Sequence, residues 1–427
     1  MKNQVLEISN VRVDQLVEKY STPLFVYDEE KIVNRINDFY KYFKSKEFST
    51  EVIYASKAFT CGAMIDLLKD MDTSLDVVSG GELYLAHKHG FDMNKVFFHG
   101  NNKTNDELCM AIKYGCKIVA DNIDETKRIA KMASECKKHM QLLLRVNPGV
   151  EAHTHEYIIT AKLDSKFGIS ITLENKIDEV IQVINDCEYL SFYSFHSHIG
   201  SQIFDTAAFK VAIETMVNFT NKYNDRYNMD IEALNIGGGF GVRYTSEDNP
   251  IPFDTMCKGL IEKLEETIRC TNSKIRHIMI EPGRSIVGEA GYTLYTVGYQ
   301  KKTTNKKYVF VDGGMSDNIR VSLYQAKYAC DVANKMNDKK TQKVTVAGKC
   351  CESGDILAED ILLPEVKEKD ILVFYTTGAY GYSMSSNYNR LNKPAVVFVN
   401  RGKARLVVKR ETYEDQYSLD VNEEFEF

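Results

Sequence analysis

One repeating pattern organises residues 51–284: a short β-branched or apolar run is followed by an amphipathic stretch and then by another run. The runs predict strands, and the stretches place apolar residues at the i, i+3, i+4 spacing of half-buried helices. The predicted strands are Val52–Lys57, Leu75–Ser79, Lys95–Gly100, Lys117–Asp121, Gln141–Asn147, Ser191–Gly200, Ile231–Gly239 and Arg276–Arg284. The predicted helices include Met64–Lys69, Asp106–Tyr114, Glu125–His139, Ile177–Asn185, Phe209–Tyr223 and Met256–Cys270.

Eight such units can close into a (β/α)8 barrel of the TIM type, with a doubly wound open sheet as the main alternative. The open sheet is disfavoured because no G-x-G-x-x-G motif opens the first helix. We therefore predict an α/β barrel for this part of the chain.

The remainder of the chain has a different pattern, with short β-rich runs separated by Gly, Asn, Asp and Pro. These runs are Lys307–Val311, Lys343–Val346, Ile371–Tyr375 and Ala395–Val399. They predict a C-terminal all-β domain, sandwich or barrel, which the strand-like segment Thr22–Tyr27 is expected to join. The expected division is an N-terminal segment (1–35) contributing to the β domain, a (β/α)8 barrel (36–284) and the C-terminal β domain (285–427).

Charge, apolar runs and cysteine spacing argue against several functional classes. The net charge of -6 comes from interspersed acids and bases, which argues against a nucleic-acid surface. The start of the chain has no basic region followed by an apolar run, and no stretch of about 18 apolar residues could span a membrane. The 10 cysteines are irregularly spaced without a CxxC pair, so we expect reduced thiols in the cytoplasm.

Polar or glycine residues end all eight predicted strands, and barrel enzymes gather their active sites at those ends. The strand-end residues are Lys57, Ser79, His99, Asp121, Asn147, His198, Gly237 to Gly239, and Glu281 to Arg284. Together they predict one lined pocket.

Lys57 follows an apolar run, and a lysine shielded from water at a barrel mouth can form a Schiff base. The alternative is an ordinary surface lysine.

The glycines of the run 237–239 can aim backbone N–H groups at an anion, and barrels favour phosphate sites after strands seven and eight. The alternative there is a plain turn.

Glu281 and Arg284 are the first and last residues of a Glu-Pro-Gly-Arg sequence. A buried carboxylate could pair with a protonated pyridine nitrogen, and an arginine could bind a substrate carboxylate through two nitrogens. A structural Glu–Arg salt bridge explains the same residues equally well.

Cys351 stands next to a carboxylate and a glycine turn. This spacing is compatible with a small buried apolar residue and with an exposed proton donor.

Two HxH pairs, His196/His198 and His153/His155, raise the possibility of a metal site in a barrel hydrolase. Such barrels place the pair on their first strand, where this chain has no histidine. We expect no metal, and expect His198 to stack on a ring.

The ordered set of motifs resembles the fold type III pyridoxal-phosphate decarboxylases of the alanine racemase-like barrel group, and within them the branch that acts on diaminopimelate. The resemblance runs from residue 22 to residue 415. Its most specific segments are Arg145–His155, Asp164–Gly168, His196–Gln202, the glycine run, Glu281–Arg284 and Cys351–Asp355. The chain departs from many relatives at Phe59, Val321 and Cys350.

The resemblance implies a role for each matching position. Pyridoxal 5'-phosphate would be bound by Lys57, His198, Ser201, Gly238, Gly239, Glu281, Gly283, Arg284 and Tyr380. Substrate would be bound by Arg284, Arg320, Tyr324, Glu352 and Tyr380. Catalysis would fall to Lys57, His198 and the proton donor Cys351. In this family the equivalents of Cys351 and Glu352 reach the neighbouring subunit's site, which implies a homodimer with shared active sites.

The implied reaction is decarboxylation of meso-2,6-diaminopimelate to L-lysine and carbon dioxide, the last step of lysine biosynthesis. Two arginines with Glu352 and Tyr324 suit a substrate end that bears both a carboxylate and an ammonium. The alternatives are decarboxylation of ornithine, arginine or carboxynorspermidine, a racemase on the same scaffold, a catalytically silent homologue that binds the cofactor, and a metal-dependent hydrolase.

Overall fold

The computed structural model describes residues 4–150 and 165–425. The chain divides into two compact units. The β unit comprises Met1–Asn34, Arg243–Asp248 and Val287–Phe427, and the barrel unit comprises Arg35–Val242 and Asn249–Ile286.

Strands and helices alternate through the barrel unit, whereas strands predominate in the β unit. In chain order, the strands are β1 Glu7–Ile8, β2 Val11–Arg12, β3 Leu24–Asp28, β4 Ser49–Ala55, β5 Ser74–Val77, β6 Val96–Phe98, β7 Lys117–Ala120, β8 Met140–Asn147, β9 Ile169–Ser170, β10 Leu190–His196, β11 Ala233–Asn235, β12 His277–Ile280, β13 Gly291–Lys302, β14 Lys307–Val311, β15 Cys330–Val332, β16 Gln342–Ala347, β17 Ile356–Leu363, β18 Ile371–Tyr375, β19 Ala395–Asn400 and β20 Lys403–Val408. The α-helices are α1 Val13–Tyr20, α2 Glu29–Tyr42, α3 Gly62–Asp70, α4 Gly80–Lys88, α5 Asn105–Tyr114, α6 Ile123–Cys136, α7 Glu174–Asn185, α8 Ala207–Tyr227, α9 Phe253–Cys270, α10 Arg284–Val287, α11 Arg320–Tyr324 and α12 Tyr413–Tyr417. Short 3-10 turns span Ser56–Ala58, Met93–Lys95, Tyr382–Met384 and Tyr388–Arg390.

The barrel unit contains a closed parallel barrel. Its strand order is β4-β5-β6-β7-β8-β10-β11-β12, and β12 pairs in parallel with β4 to close the ring. Each of the eight predicted runs overlaps one of these strands, so the predicted barrel is confirmed. Several strands end earlier than predicted; β10 stops at His196 and β11 at Asn235. The polar residues that follow them therefore lie in the loops just beyond the strands.

A buried cluster shows how the barrel is held together. It takes one side chain from each of six strands: Ile53, Phe97, Val119, Leu143, Ala233 and Met279. Strands that are not neighbours in the sheet contribute to it, which is possible only inside the barrel. Side chains from alternate strands fill such interiors in layers, so the barrel is a packed core with its free space at the strand ends.

Local sequence sets the helix boundaries in this unit. Helix α5 begins after Thr104, whose side chain accepts the Glu107 N–H while the Glu107 carboxylate accepts the Thr104 N–H. It ends at Tyr114 and is followed by Gly115, which has a φ of +80° that favours glycine.

The β unit contains a mixed sheet with the path β17-β16-β14-β13-β3-β19-β20, to which β18 and β15 are added through β13. The fully buried strand β3 pairs antiparallel with β13 and parallel with β19. The prediction that the N-terminal segment joins the second sheet is therefore confirmed. The unit also carries helix α1, which packs Val13 and Leu16 into the same core as Leu24 and Val397.

All ten cysteines lie in the described part of the chain and are free thiols. Within the described ranges, no helix is both long enough and apolar enough to cross a membrane.

Candidate active site

Lys57 lies in the 3-10 turn that follows β4, the first barrel strand. Its side chain is exposed, while Ser56 and Ala58 on either side are buried. The expectation of a lysine shielded from water is therefore wrong for this chain on its own, and the amine is accessible. Gly283 packs against this turn: a Cβ there would lie 3.0 Å from the Ala55 Cβ and 3.1 Å from the Ala58 Cβ.

Glu281 follows β12 and is buried among three polar side chains. Its Oε2 lies 2.9 Å from His196 Nε2, and its Oε1 lies 2.9 Å from His99 Nε2. Asn235 Nδ2 donates to the same Oε1 at 2.7 Å. Glu281 is thus surrounded by a cage of two imidazoles and an amide.

The electrostatics of this cage keep Glu281 ionised. Burial alone would raise the pKa of Glu281, but the attraction of His196 and His99 and their hydrogen bonds outweigh it and hold the pKa well below its usual range. Burial lowers the pKa of His196 to about 4, so its imidazole is neutral at pH 7 and donates from Nε2. The result is a buried, ionised carboxylate whose oxygens are contacted by His196, His99 and Asn235.

Lowering the pH from 7 to 5 is expected to destabilise the protein through His196. The folded-state pKa of about 4 lies below the ordinary value of 6.5, so the unfolded chain binds more protons between these values. The free energy of unfolding therefore falls as pH falls through this window, by about 2 kcal/mol at pH 5. Urea unfolding at both pH values measures the decrease. His196→Gln keeps a donor near Nε2 but does not titrate, so its decrease should be smaller; equal decreases would contradict the assignment.

Two residues of this cluster were not singled out from the sequence. Asn235 joins Glu281 to the glycine run, because its Oδ1 also accepts the Gly237 N–H at 2.9 Å. Asp76 on β5 is buried, its pKa is raised by that burial, and its Oδ1 lies 3.9 Å from His99 Nε2. A charged residue inside the short buried strand Ser74–Val77 was the available signal for Asp76.

The glycine run makes a sharp turn after β11. In this turn the glycine backbone lies next to His198. A Cβ on Gly238 would lie 2.0 Å from the Glu281 carbonyl oxygen, and Gly239 has a φ of +112°. Gly238 N–H donates to His198 Nδ1 at 3.4 Å. Burial, with the charges of Lys57 and Arg145, lowers the pKa of His198 well below its usual value. His198 is therefore neutral, which suits a ring that stacks on another ring.

Arg284 and Ser201 meet in the same unit. Arg284 is buried and its Nη2 donates to Ser201 Oγ at 3.0 Å. A buried guanidinium beside a hydroxyl is a good partner for a phosphate, which accepts several charge-assisted hydrogen bonds.

The residues present fit pyridoxal 5'-phosphate. Lys57 offers an accessible amine, and Glu281 offers an ionised carboxylate suited to a pyridine N–H. Arg284 and Ser201 offer cationic and hydroxyl donors suited to the phosphate. These are the three chemical demands of this cofactor.

The metal alternative has one candidate group within the described ranges: the ligand atoms of His99, His196 and Glu281 lie within 4.8 Å of one another. These atoms form the hydrogen-bonded cage described above. The predicted HxH pair His196/His198 is split between two environments, and the pair His153/His155 lies outside the described residues.

In the β unit, Arg320 is brought together with two of the predicted tyrosines. Its guanidinium carbon lies 5.2 Å from the Tyr324 ring centroid and 5.4 Å from that of Tyr380. Its Nε donates to Tyr328 Oη at 2.9 Å. One edge of the guanidinium is thus fixed, and the other edge has the geometry that binds a carboxylate through two nitrogens. Tyr328 was not predicted.

Cys351 and Glu352 lie on an exposed turn of the β unit, so the interpretation of Cys351 as a buried apolar residue is wrong. The buried Asp355 anchors the turn: its Oδ2 accepts the Cys350 N–H at 2.7 Å and its Oδ1 accepts the Met315 N–H at 2.6 Å. Burial raises the pKa of Asp355.

A parallel barrel that presents an amine after its first strand and a caged carboxylate after its last is the framework of the barrel-type pyridoxal-phosphate decarboxylases. Residues 29–288, more than half of the chain, match the family model described as "Pyridoxal-dependent decarboxylase, pyridoxal binding domain". The chain therefore belongs to this class of enzymes.

Relatives that align over nearly their full length identify the branch of these decarboxylases to which the chain belongs. The chain is 50% identical over 422 residues to the diaminopimelate decarboxylase of Bacillus subtilis (strain 168), covering 97% of this chain and 95% of that protein. It is 42% identical over 429 residues to the Synechocystis diaminopimelate decarboxylase, covering 98% and 91%. The crystal structure of the M. jannaschii diaminopimelate decarboxylase in co-complex with L-lysine superposes with a TM-score of 0.90 at 32% identity, covering 99% of both chains. The chain belongs to the diaminopimelate decarboxylase family.

Proposed function

We propose that this chain decarboxylates meso-2,6-diaminopimelate to L-lysine and carbon dioxide with pyridoxal 5'-phosphate, as the last step of lysine biosynthesis. The observation that carries the proposal is the placement of Lys57 and Glu281 after two hydrogen-bonded neighbours, β4 and β12. This arrangement puts an amine and an ionised carboxylate at the same end of the barrel.

Bound pyridoxal phosphate supplies an aldehyde for covalent attachment and a ring that accepts the electron pair left when carbon dioxide departs. Lys57 Nζ would hold the aldehyde carbon, and Glu281 would keep the proton on the pyridine nitrogen. Arg284, Ser201, Tyr380 and the N–H groups of Gly238 and Gly239 would hold the phosphate. The face of the neutral His198 imidazole would support the ring.

Arg284, Arg320, Tyr324, Glu352 and Tyr380 would bind the substrate. Arg320, fixed by Tyr328, would bind a carboxylate, while Glu352 would bind the distal ammonium, with Tyr324 and Tyr380 beside them. The relative from M. jannaschii carries L-lysine in its complex, which supports lysine as the product of this chain.

Cys351 would return a proton from Sγ to the carbon that has lost its carboxylate. Its exposure supports delivery to a site beyond its own turn, and we propose that Cys351 and Glu352 complete the site of a neighbouring subunit in a cytoplasmic homodimer. We also propose that residues 36–284 act as the cofactor domain, and that 1–35 with 285–427 form the β domain.

Carbon dioxide release from meso-diaminopimelate, ornithine and arginine tests the proposal. The wild-type enzyme is expected to act on meso-diaminopimelate and only weakly on the others. Preference for ornithine or arginine would replace the proposal with a polyamine-type decarboxylase, and no release from any of the three would indicate a silent homologue.

Arg320→Ala is expected to reduce kcat/KM for meso-diaminopimelate about 100-fold, because a charge-assisted pair of hydrogen bonds contributes about 3 kcal/mol. Residual activity on ornithine, which has no distal carboxylate, should change little. Arg320→Lys keeps the charge but loses the planar pair of donors and should recover only part of the loss. Equal losses on both substrates would contradict a role in binding the distal carboxylate.

A further inference from the structure

We infer that Asn389 is a positioning residue for the thiol of Cys351, an inference that rests on the proposed role of Cys351 as proton donor. The Cys351 backbone N–H donates to Asn389 Oδ1 at 2.7 Å. Asn389 is 38 residues away in sequence, on the 3-10 turn Tyr388–Arg390, so the contact is a tertiary one.

The backbone at Asn389 adopts a conformation that side-chain-bearing residues rarely adopt. Asn389 and Arg390 both have a φ of +54°. Asparagine tolerates this region through local hydrogen bonding, whereas the arginine Cβ crowds the neighbouring backbone there. Two successive left-handed residues persist only where the surroundings hold them, and such positions cluster at functional sites.

The C-terminal segment supplies the contacts that hold this turn. Gln416 Nε2 donates to the Arg390 carbonyl at 3.2 Å and to Asn392 Oδ1 at 2.6 Å. Arg390 Nη2 lies 3.0 Å from Asp420 Oδ2. Helix α12 itself is fixed at its start by a capping box between Thr412 and Asp415. The turn that carries the acceptor oxygen of Asn389 is thus stabilised by contacts with the C-terminal segment.

The peptide at Cys351 is held from two sides. Its own N–H is bound by Asn389, and the preceding Cys350 N–H is bound by the buried Asp355. Asp355 also binds the Met315 N–H and is therefore needed for the local fold. Asn389 and Cys351 are both exposed, and a hydrogen bond in water contributes little net stability. The contact therefore matters for the placement of the thiol more than for folding, and a misplacement of about 1 Å can slow a reaction 100-fold.

Asn389→Gly is the central variant because glycine keeps the left-handed backbone and removes the acceptor. In purified holoenzyme we expect kcat for carbon dioxide release to fall about tenfold, with KM and the melting temperature unchanged. Asn389→Asp keeps an acceptor oxygen and should restore most of the lost kcat. Asn400→Ala, which changes an asparagine of the same unit that contacts Glu29, is the matched control and should leave kcat unchanged.

A double-mutant cycle separates positioning from an independent effect. If Asn389 acts through the thiol, Asn389→Gly should cause no further loss in a Cys351→Ala background. Multiplied losses, or a wild-type kcat in the single Asn389→Gly variant, would overturn the inference and leave the proposed function intact. A wild-type kcat in Cys351→Ala would instead overturn the proposed role of the thiol, and the inference with it.

Discussion

Lys57→Ala is expected to lower kcat by roughly 1,000-fold or more, since it removes the amine that would bind the cofactor and move protons at the reacting carbon. The visible absorbance of the purified holoenzyme should be lost or shifted in parallel. Borohydride treatment of the wild-type enzyme, followed by peptide mapping, should place the reduced adduct on Lys57. The measurement thus ties the loss of turnover to one nitrogen atom.

Lys69 provides the control for this experiment. It is an exposed lysine on helix α3, which directly follows the Lys57 turn, and its Nζ donates to the His89 carbonyl at 2.9 Å. Lys69→Ala should retain both colour and turnover. Retention of both in Lys57→Ala would remove the basis of the proposed function, and recovery of the adduct on another lysine would move the cofactor to a different part of the barrel.

The barrel could be predicted from the sequence because its signal is local and repeated. Each strand is a short apolar run, each helix has a 3.6-residue apolar period, and parallel closure brings all strand ends to one side. That geometry made Lys57, His198 and Glu281 candidates before any contact was known. The ends of β10 and β11 were placed too late, because the glycine and polar residues after them leave the hydrogen-bonded ladder earlier than their composition indicates.

The contacts within the site could not be predicted in the same way. Glu281 was equally compatible with a salt bridge to Arg284, since sequence spacing does not reveal which side chains converge from neighbouring strands. Asn235 has no distinctive sequence signal, and the charge of Asp76 in a buried strand does not reveal that its carboxylate lies near His99. In the β unit, the contact of Arg320 with the Tyr380 ring joins residues far apart in sequence and depends on loop conformation, which leaves no periodic signal.

The segment Arg243–Asp248 illustrates the same limit at the level of domains. It lies between α8 and α9 of the barrel unit in sequence, yet it clusters with the β unit. Thr376 Oγ1 donates to the Arg243 carbonyl at 3.3 Å, and Ala329 N–H donates to the Tyr244 carbonyl at 3.2 Å. These partners are distant in sequence, so a boundary drawn from composition along the chain cannot capture them.

Glu281→Gln is expected to lower kcat by about 100- to 1,000-fold while the fold is retained. Glutamine has nearly the same shape, but its neutral amide cannot hold a proton on the pyridine nitrogen, and loss of one preorganised electrostatic group typically costs a factor of this size. Steady-state carbon dioxide release measures kcat. The pKa of His196 should also fall further in this variant, because the carboxylate that favours its charged form is gone.

Glu125 is a matched buried carboxylate for this comparison. It lies at the start of helix α6, is fully buried, and its Oε2 lies 3.1 Å from the Nζ of the buried Lys103. Glu125→Gln leaves that ammonium without its counter-charge and should lower the free energy of unfolding by about 3 kcal/mol, while kcat per folded molecule stays near wild type. Glu281→Gln should show the opposite pattern, a large loss of kcat with a smaller loss of stability. If both variants lost stability and kcat in the same proportion, Glu281 would be a structural carboxylate of the barrel rather than the partner of the cofactor.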